Sequence, residues 1–425
     1  MQKKIKFFLI VFLFYQTHLY SKSNSFNDLD TKNLSRYFSG IVAFGNKNNS
    51  EALDFFNSTK TLINTHDPFI QRYISSLILE NKISKAINII KQHKENKNLN
   101  FFDAYLLLIV DSLNRKNLDQ ANNYLTIALN SQQKNKFNLA VLESLNQYIF
   151  VFKEKKFLNN KKNFGKLSII SETFQRCYLN DPKTDSYFRN LINDNESDFS
   201  RYIYFYLSYL IDTSREKEAK KITDDIEFIN TTLLLAQGKE WIDNGDLKRF
   251  NEFFSCKNHN DLIAEFLFLI SNLYSSEDNF ERSNFYLNLS NFLNPKFKFN
   301  LSLIAENHYL NEDYNKAKKI LKNFKKEDNF YYWFRIKKEA QIISKQTNNK
   351  ESLNYIISNF KKIDNPNKKI LFDVANFYKN SKEYKKAINF YTRIITELDE
   401  NSDIKSDLLY RRGASYERIK NYKKA

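Results

Sequence analysis

A small residue returns along this 425-residue chain at nearly fixed intervals. It follows an acidic or asparagine-rich turn, and an apolar residue comes four positions after it. Ala317 sits in "EDYNKAKKIL", Ala387 in "KEYKKAINFY", Ala86 in "NKISKAINII", Ala121 in "KNLDQANNYL" and Ser283 in "EDNFERSNFY". Weaker copies centre on Ala52, Ala219, Phe250 and Ser352, and Ala425 begins another. Successive gaps are 34, 35, 98, 31, 33, 34, 35, 35 and 38. A period of this length fits a pair of helices joined by a turn. Such a pair cannot bury its apolar face alone and must stack on copies of itself. The stretch "SSEDNFERSNFYLNLSNFLNP" shows the pattern in one helix: Phe280, Ser283, Leu287 and Ser290 fall on one stripe, two large and two small. Pro295 lacks an N–H and clashes with the preceding turn, so the helix is predicted to stop there.

Composition agrees. At 42% hydrophobic the chain has ample material for a core, while Gly 6 and Pro 4 are too few for a strand-rich fold or for flexible linkers. The expected fold is all-α.

Counting the recurring residue as position 20, the small residue of the first helix falls at position 8: Gly40, Gly238, Ser271, Ala305, Ala340, Ala375 and Gly413. Position 11 is bulky (Leu77, Trp241, Tyr274, Tyr378, Tyr416), and position 24 is Phe56, Ile90, Leu125, Phe254, Leu287, Leu321 or Tyr391. These positions resemble the tetratricopeptide repeat, and the chain is similar to exported bacterial members of that family. The resemblance implies an α-solenoid of roughly twelve stacked hairpins in a right-handed superhelix, with a concave groove lined by first helices. The expected organisation is a signal peptide at 1–23, N-terminal repeats at 33–130, degenerate helical repeats at 131–199 and C-terminal repeats at 200–425, the last one incomplete. The gap of 98 between Ala121 and Ala219 is long enough for two degenerate repeats.

"MQKKIKFFLIVFLFYQTHLYSKS" has the basic, apolar and small-residue order of a secretory signal, with cleavage expected near Ser21 to Ser23. Its apolar run is too short to span a bilayer, and no later stretch is long enough. The mature chain is therefore expected to be exported, periplasmic and without a membrane span, with association to the envelope left open. The net charge of +17 falls to +14 when Lys3, Lys4 and Lys6 are removed. The remaining lysines are scattered among acids, which argues against a nucleic-acid partner. Cys177 and Cys256 lie 79 residues apart, more than two repeats, and are expected to be separate buried thiols.

No catalytic, cofactor or metal site is legible. His66, His93, His259 and His308 form no i, i+3 or i+4 pairs, and His308, at position 11, reads as a packing residue. Six glycines supply no phosphate loop. The expectation is a non-enzymatic scaffold that binds proteins or peptides. The resemblance places groove-facing side chains at positions 2, 5, 9, 12 and 13. The polar ones include Asn272, Glu306, Tyr309, Lys337, Gln341, Lys345, Asn376, Lys379, Asn380 and, from the last repeat, Arg411. Lys337, Gln341, Asn376, Asp407 and Arg411 partly match a carboxylate clamp known in the family, although Asp407 reverses one charge. The alternative is the helical arm of an envelope enzyme or assembly factor whose active part lies beyond Ala425, where the second helix of a repeat is expected to continue.

Overall fold

The computed structural model describes residues 31–425 apart from 97, 98, 132–134, 160, 194–199, 228, 230, 328 and 399–401. The expected signal peptide lies outside the described residues. Among them, all regular structure is helical. The protein is an all-α solenoid of tetratricopeptide-like hairpins. Contacts divide it into two compact units: one runs to Glu80 and includes Asn96, and the other holds Asn81–Glu95 and the chain from Leu99 onward.

The turn that sets the period has a backbone signature. Lys47, Asn81, Lys116, Ser214, Gly245, Asp278, Glu312, Lys382 and Lys420 each lie five residues before a recurring position 20, and all have φ between 55° and 75°. Only one of them is glycine, so eight side chains adopt a left-handed conformation that costs about 1 kcal/mol or more. What offsets this is the closure of the first helix. The next N–H reaches back to the carbonyl five residues earlier, as from Asn117 to Ser112, Arg215 to Leu210, Asn279 to Tyr274 and Asp313 to His308, at 2.8–2.9 Å. This is the Schellman closure, which satisfies carbonyls that a helix end leaves unpaired. The same residue often caps the second helix. Asn48, Asn117, Asn279 and Asp313 accept from the backbone N–H three residues on. The asparagine-rich turns of the sequence are thus stop and start signals fused in two residues. The Ser352 repeat departs from this: its turn has no left-handed residue, and Asn348 caps alone.

The predicted core positions are buried. Position 20 is at most 1% exposed at Ala52, Ala86, Ala121, Ala219, Phe250, Ser283, Ala317, Ser352 and Ala387. Position 24 is at most 2% exposed at Phe56, Ile90, Leu125, Phe254, Leu287, Leu321 and Tyr391. The Phe280–Leu293 helix ends as expected, with Asn294 as its cap and Pro295 next. Its two small residues do more than make space. Asn307 Nδ2 donates to Ser283 Oγ at 2.8 Å, and Asn300 Nδ2 donates to Ser290 Oγ at 2.8 Å. Ser290 Oγ in turn donates to the Ala264 carbonyl. A buried polar seam therefore ties this hairpin to the next, because each buried donor or acceptor needs a partner.

Two expectations need correction, and one set of contacts goes beyond nearest-neighbour stacking. Among the described residues between the Ala121 and Ala219 repeats there are three helices, Lys136–Glu154, Lys166–Leu179 and Thr184–Ile192, rather than the four of two full hairpins. The first has 19 residues, longer than either helix of a regular repeat here, such as Phe299–Leu310 and Tyr314–Leu321. Cys177 and Cys256 are joined in a disulfide, with Cα atoms 5.6 Å apart. Hairpins distant in sequence also touch. Arg282 pairs with Asp103, His259 Nε2 meets the Leu113 carbonyl at 3.0 Å, and Lys369 reaches the carbonyls of Ile229 and Thr231. Each hairpin is rotated relative to the last, so helices several repeats apart in sequence come back into contact.

Candidate functional site

Four successive first helices of the second compact unit, His259–Ser276, Phe299–Leu310, Asn329–Gln346 and Lys368–Asn380, border a cavity of about 350 Å³. Thr231, Thr232 and Leu233, at the start of the Leu233–Asp243 helix, complete its wall. In repeat coordinates the lining falls largely on positions 2, 5 and 9: Phe268 and Asn272 in one repeat, then Phe299, Ser302 and Glu306, then Phe334 and Lys337, then Lys369. These are the positions that the sequence reading assigned to the groove. A helix of 3.6 residues per turn puts them on one stripe, beside the buried position 8 at Ser271, Ala305, Ala340 and Ala375. A second cavity of about 470 Å³, containing Lys326, Asn359 and Lys362, shares Phe330, Trp333 and Ile370 with the first. Those three side chains form the partition between them.

The aromatic wall is braced from behind. The Arg201 guanidinium lies 3.7 Å from the Phe268 ring centroid and 4.5 Å from that of Phe299. Glu265 holds it with two hydrogen bonds of 2.9 and 2.6 Å. Burial raises the Glu265 carboxyl pKa, and the Arg201 charge opposes that rise. A desolvated, two-pronged pair of this kind fixes ring positions more than it adds stability.

On the cavity side, Asp373 accepts from Trp333 Nε1 at 2.8 Å and from Lys337 Nζ at 3.2 Å. Glu306 is paired with Lys338 at 2.5 Å, and the Lys338 ammonium sits 4.3 Å from the Tyr309 ring centroid. Burial lowers the Lys338 pKa against the pull of Glu306. Lys369 donates to two backbone carbonyls, and burial, helped by the charge of Lys337, brings its pKa down to about 8. The Thr231 hydroxyl is buried without a hydrogen-bond partner. The cavity thus offers flat apolar walls and a few fixed polar groups. This suits an apolar side chain or ring that carries one polar atom.

Of the ten residues expected in the groove, Asn272, Glu306 and Lys337 line this cavity. Tyr309 packs on Lys338 beside it. Gln341 keeps a buried Oε1 without a partner, Lys345 and Asn380 are exposed, and Lys379 is half-buried. The partial clamp is occupied by its own members: Arg411 Nε donates to Asp407 at 2.8 Å, Arg411 Nη1 to Asn376 at 3.4 Å, and Tyr391 also donates to Asn376 at 2.7 Å. The sequence reading passed over Phe268, Phe299, Trp333, Phe334, Lys369 and Asp373. Applying the groove positions to aromatic residues as well as polar ones would have found Phe268, Phe299 and Phe334.

Among the described residues, no group of three His, Cys, Asp or Glu side chains is arranged to hold a metal ion, and no helix is long and apolar enough to cross a membrane. His308 packs with Nδ1 3.7 Å from Asp313.

No family model and no curated protein matches the chain. Solved structures align with most of it at low similarity. The Cut9–Hcn1 hetero-tetramer of the APC/C aligns at 14% identity, covering 92% of this chain and 79% of that one, with a TM-score of 0.32. Yeast Tom70 aligns at 10% identity over 92% and 96%, with a TM-score of 0.25. The TPR domain of P58(IPK) aligns at 13% identity over 93% and 100%, with a TM-score of 0.24. The class of fold stated above rests on the hairpins themselves: their period, their turns and their buried positions.

Proposed function

We propose that this protein is an exported, non-enzymatic scaffold that holds a protein or peptide partner on the groove face of its first helices, with the 350 Å³ cavity as the anchor point. One observation carries the reading. Groove positions 2 and 5 hold Phe268, Phe299 and Phe334, whose rings line the cavity while packing against the hairpin core, where a solvated helix face would hold polar side chains. A cavity walled by aromatic rings is the usual form of a recognition site, where a few anchors supply most of the affinity. Asn272, Glu306 and Lys337 stand around them as polar rim. Export to an oxidising compartment such as the periplasm is supported by the basic-then-apolar start of the chain and by the Cys177–Cys256 bond. Association with the envelope belongs to the same proposal.

A photo-crosslinking residue placed at Leu303, inside the cavity, tests this. In cells, Leu303 is expected to capture a discrete set of protein partners, and Lys322, on the exposed surface of another helix end, is not. Equal capture from both positions, or none from Leu303, overturns the reading.

A further inference from the structure

Lys369 stands on the cavity wall with its Nζ donating to the carbonyl oxygens of Ile229 at 3.0 Å and Thr231 at 2.8 Å. Among the described residues no carboxylate pairs with it, and Asp373, one turn along the helix, accepts from Lys337 and Trp333 instead. A neutral amine has two N–H groups and one lone pair, whereas an ammonium has three N–H groups. The two carbonyls satisfy the amine completely and leave an ammonium with a third N–H and no acceptor. The apolar lining makes that unmet donor costly. The depressed pKa described above agrees with this geometry. Beside it, the Thr231 hydroxyl is also buried and unpartnered, so a nucleophile and a hydrogen-bond donor meet on one wall. Desolvation in an apolar pocket and a neighbouring cation are the two conditions that activate a lysine towards carbonyl compounds.

We propose that Lys369 is a carbonyl-reactive amine, and that the cavity admits an apolar aldehyde or ketone of aromatic-ring size, which Lys369 captures as an imine. The Nζ lone pair attacks the carbonyl carbon, and the C=O π pair moves onto oxygen, where the Thr231 hydroxyl donates a hydrogen bond. One amine proton passes to that oxygen to give the carbinolamine. The second leaves with it as water, so amine and aldehyde become imine and water with no change of oxidation state. Phe299, Trp333 and Phe334 supply the apolar contact for the ring. This goes beyond the scaffold reading, since holding a protein partner requires no nucleophile.

The test treats the full chain with benzaldehyde and cyanoborohydride, which reduces any imine to a stable secondary amine, and maps the labelled lysines by mass spectrometry. At about pH 7.5, Lys369 is expected to label roughly tenfold or more faster than an exposed lysine such as Lys345, because far more of it is unprotonated. Its rate is expected to rise with pH and level off near 8, whereas a lysine of ordinary pKa continues to rise. Excess benzyl alcohol, which fills the cavity but forms no imine, slows Lys369 alone. Thr231→Val slows it further, at unchanged helical content. Labelling of Lys369 at the rate of Lys345, or labelling that benzyl alcohol does not slow, overturns the proposal. The crosslinking result from Leu303 is independent of it, so failure of either reading is distinguishable from failure of the other.

Discussion

Arg282 and Asp103 are separated by 179 residues and face each other in a two-pronged ion pair of 2.9 and 2.6 Å. Arg282 also lies 4.3 Å from the Phe285 ring centroid, so its guanidinium is packed as well as paired. The contact joins the Phe102–Asn114 helix to the Phe280–Leu293 helix across several repeats. The expected effect of removing one partner follows from its burial, at 23% and 18% side-chain exposure. Asp103→Ala strands a desolvated cation and should cost about 2–4 kcal/mol in urea unfolding, and the double variant should cost less than the sum of Asp103→Ala and Arg282→Ala. A double-mutant cycle showing no coupling would mean that the pair adds nothing to this closure.

Gly40 and Gly45 occupy one helix and make opposite predictions. A Cβ on Gly40 would lie 2.6 Å from Phe56 Cε1, because position 8 of the first helix meets position 24 of the second. Gly40→Ala should therefore lower stability by about 1–3 kcal/mol, through displacement of a fully buried ring. Gly45→Ala meets nothing within 4 Å and should be neutral or stabilising by up to about 1 kcal/mol. Thermal melts of the two variants decide the matter, and Gly40→Ala combined with Phe56→Leu should recover part of the loss.

The disulfide closes a loop across a sequence separation of 79 residues. Replacing both cysteines with serine should cost about 2–4 kcal/mol, chiefly by enlarging the unfolded ensemble. Denaturant unfolding with and without reductant should show the same loss. An unchanged midpoint after verified reduction would count against a stabilising role.

Asp261 predicts a pH dependence. It is buried, accepts from the Ser255 N–H at 3.0 Å, and burial pushes its pKa up to about 6. Its folded pKa is above its unfolded value, so the folded state binds this proton more tightly. The associated stability is present below about pH 4 and is lost as pH rises through 6. Over that window it amounts to up to about 3 kcal/mol. Asp261→Asn keeps an acceptor for Ser255 without the charge. It should raise the melting temperature at pH 7 and flatten the profile between pH 4 and 6. A variant that melts lower at pH 7 would mean that the ionised carboxylate is stabilising.

The sequence by itself determined the repeat, its register and the residues that its hairpins bury. Ala317, Leu321 and Ala305 could be placed because the contacts they make lie within one hairpin and its neighbour, where a 3.6-residue period and the turn chemistry leave little freedom. The helix face that carries Asn272, Glu306 and Lys337 to the cavity could be placed for the same reason. The left-handed turn residues were not, since Lys47, Lys116 and Lys382 carry no local mark of the conformation that the Schellman closure imposes on them. Tertiary structure alone decided the pairings of Cys177 with Cys256, Arg282 with Asp103 and Lys369 with the Ile229 and Thr231 carbonyls. Those depend on how small rotations between hairpins accumulate over several repeats. A few degrees at each step, spread over many side-chain packings, decide whether two distant helices meet, and no local pattern encodes that sum.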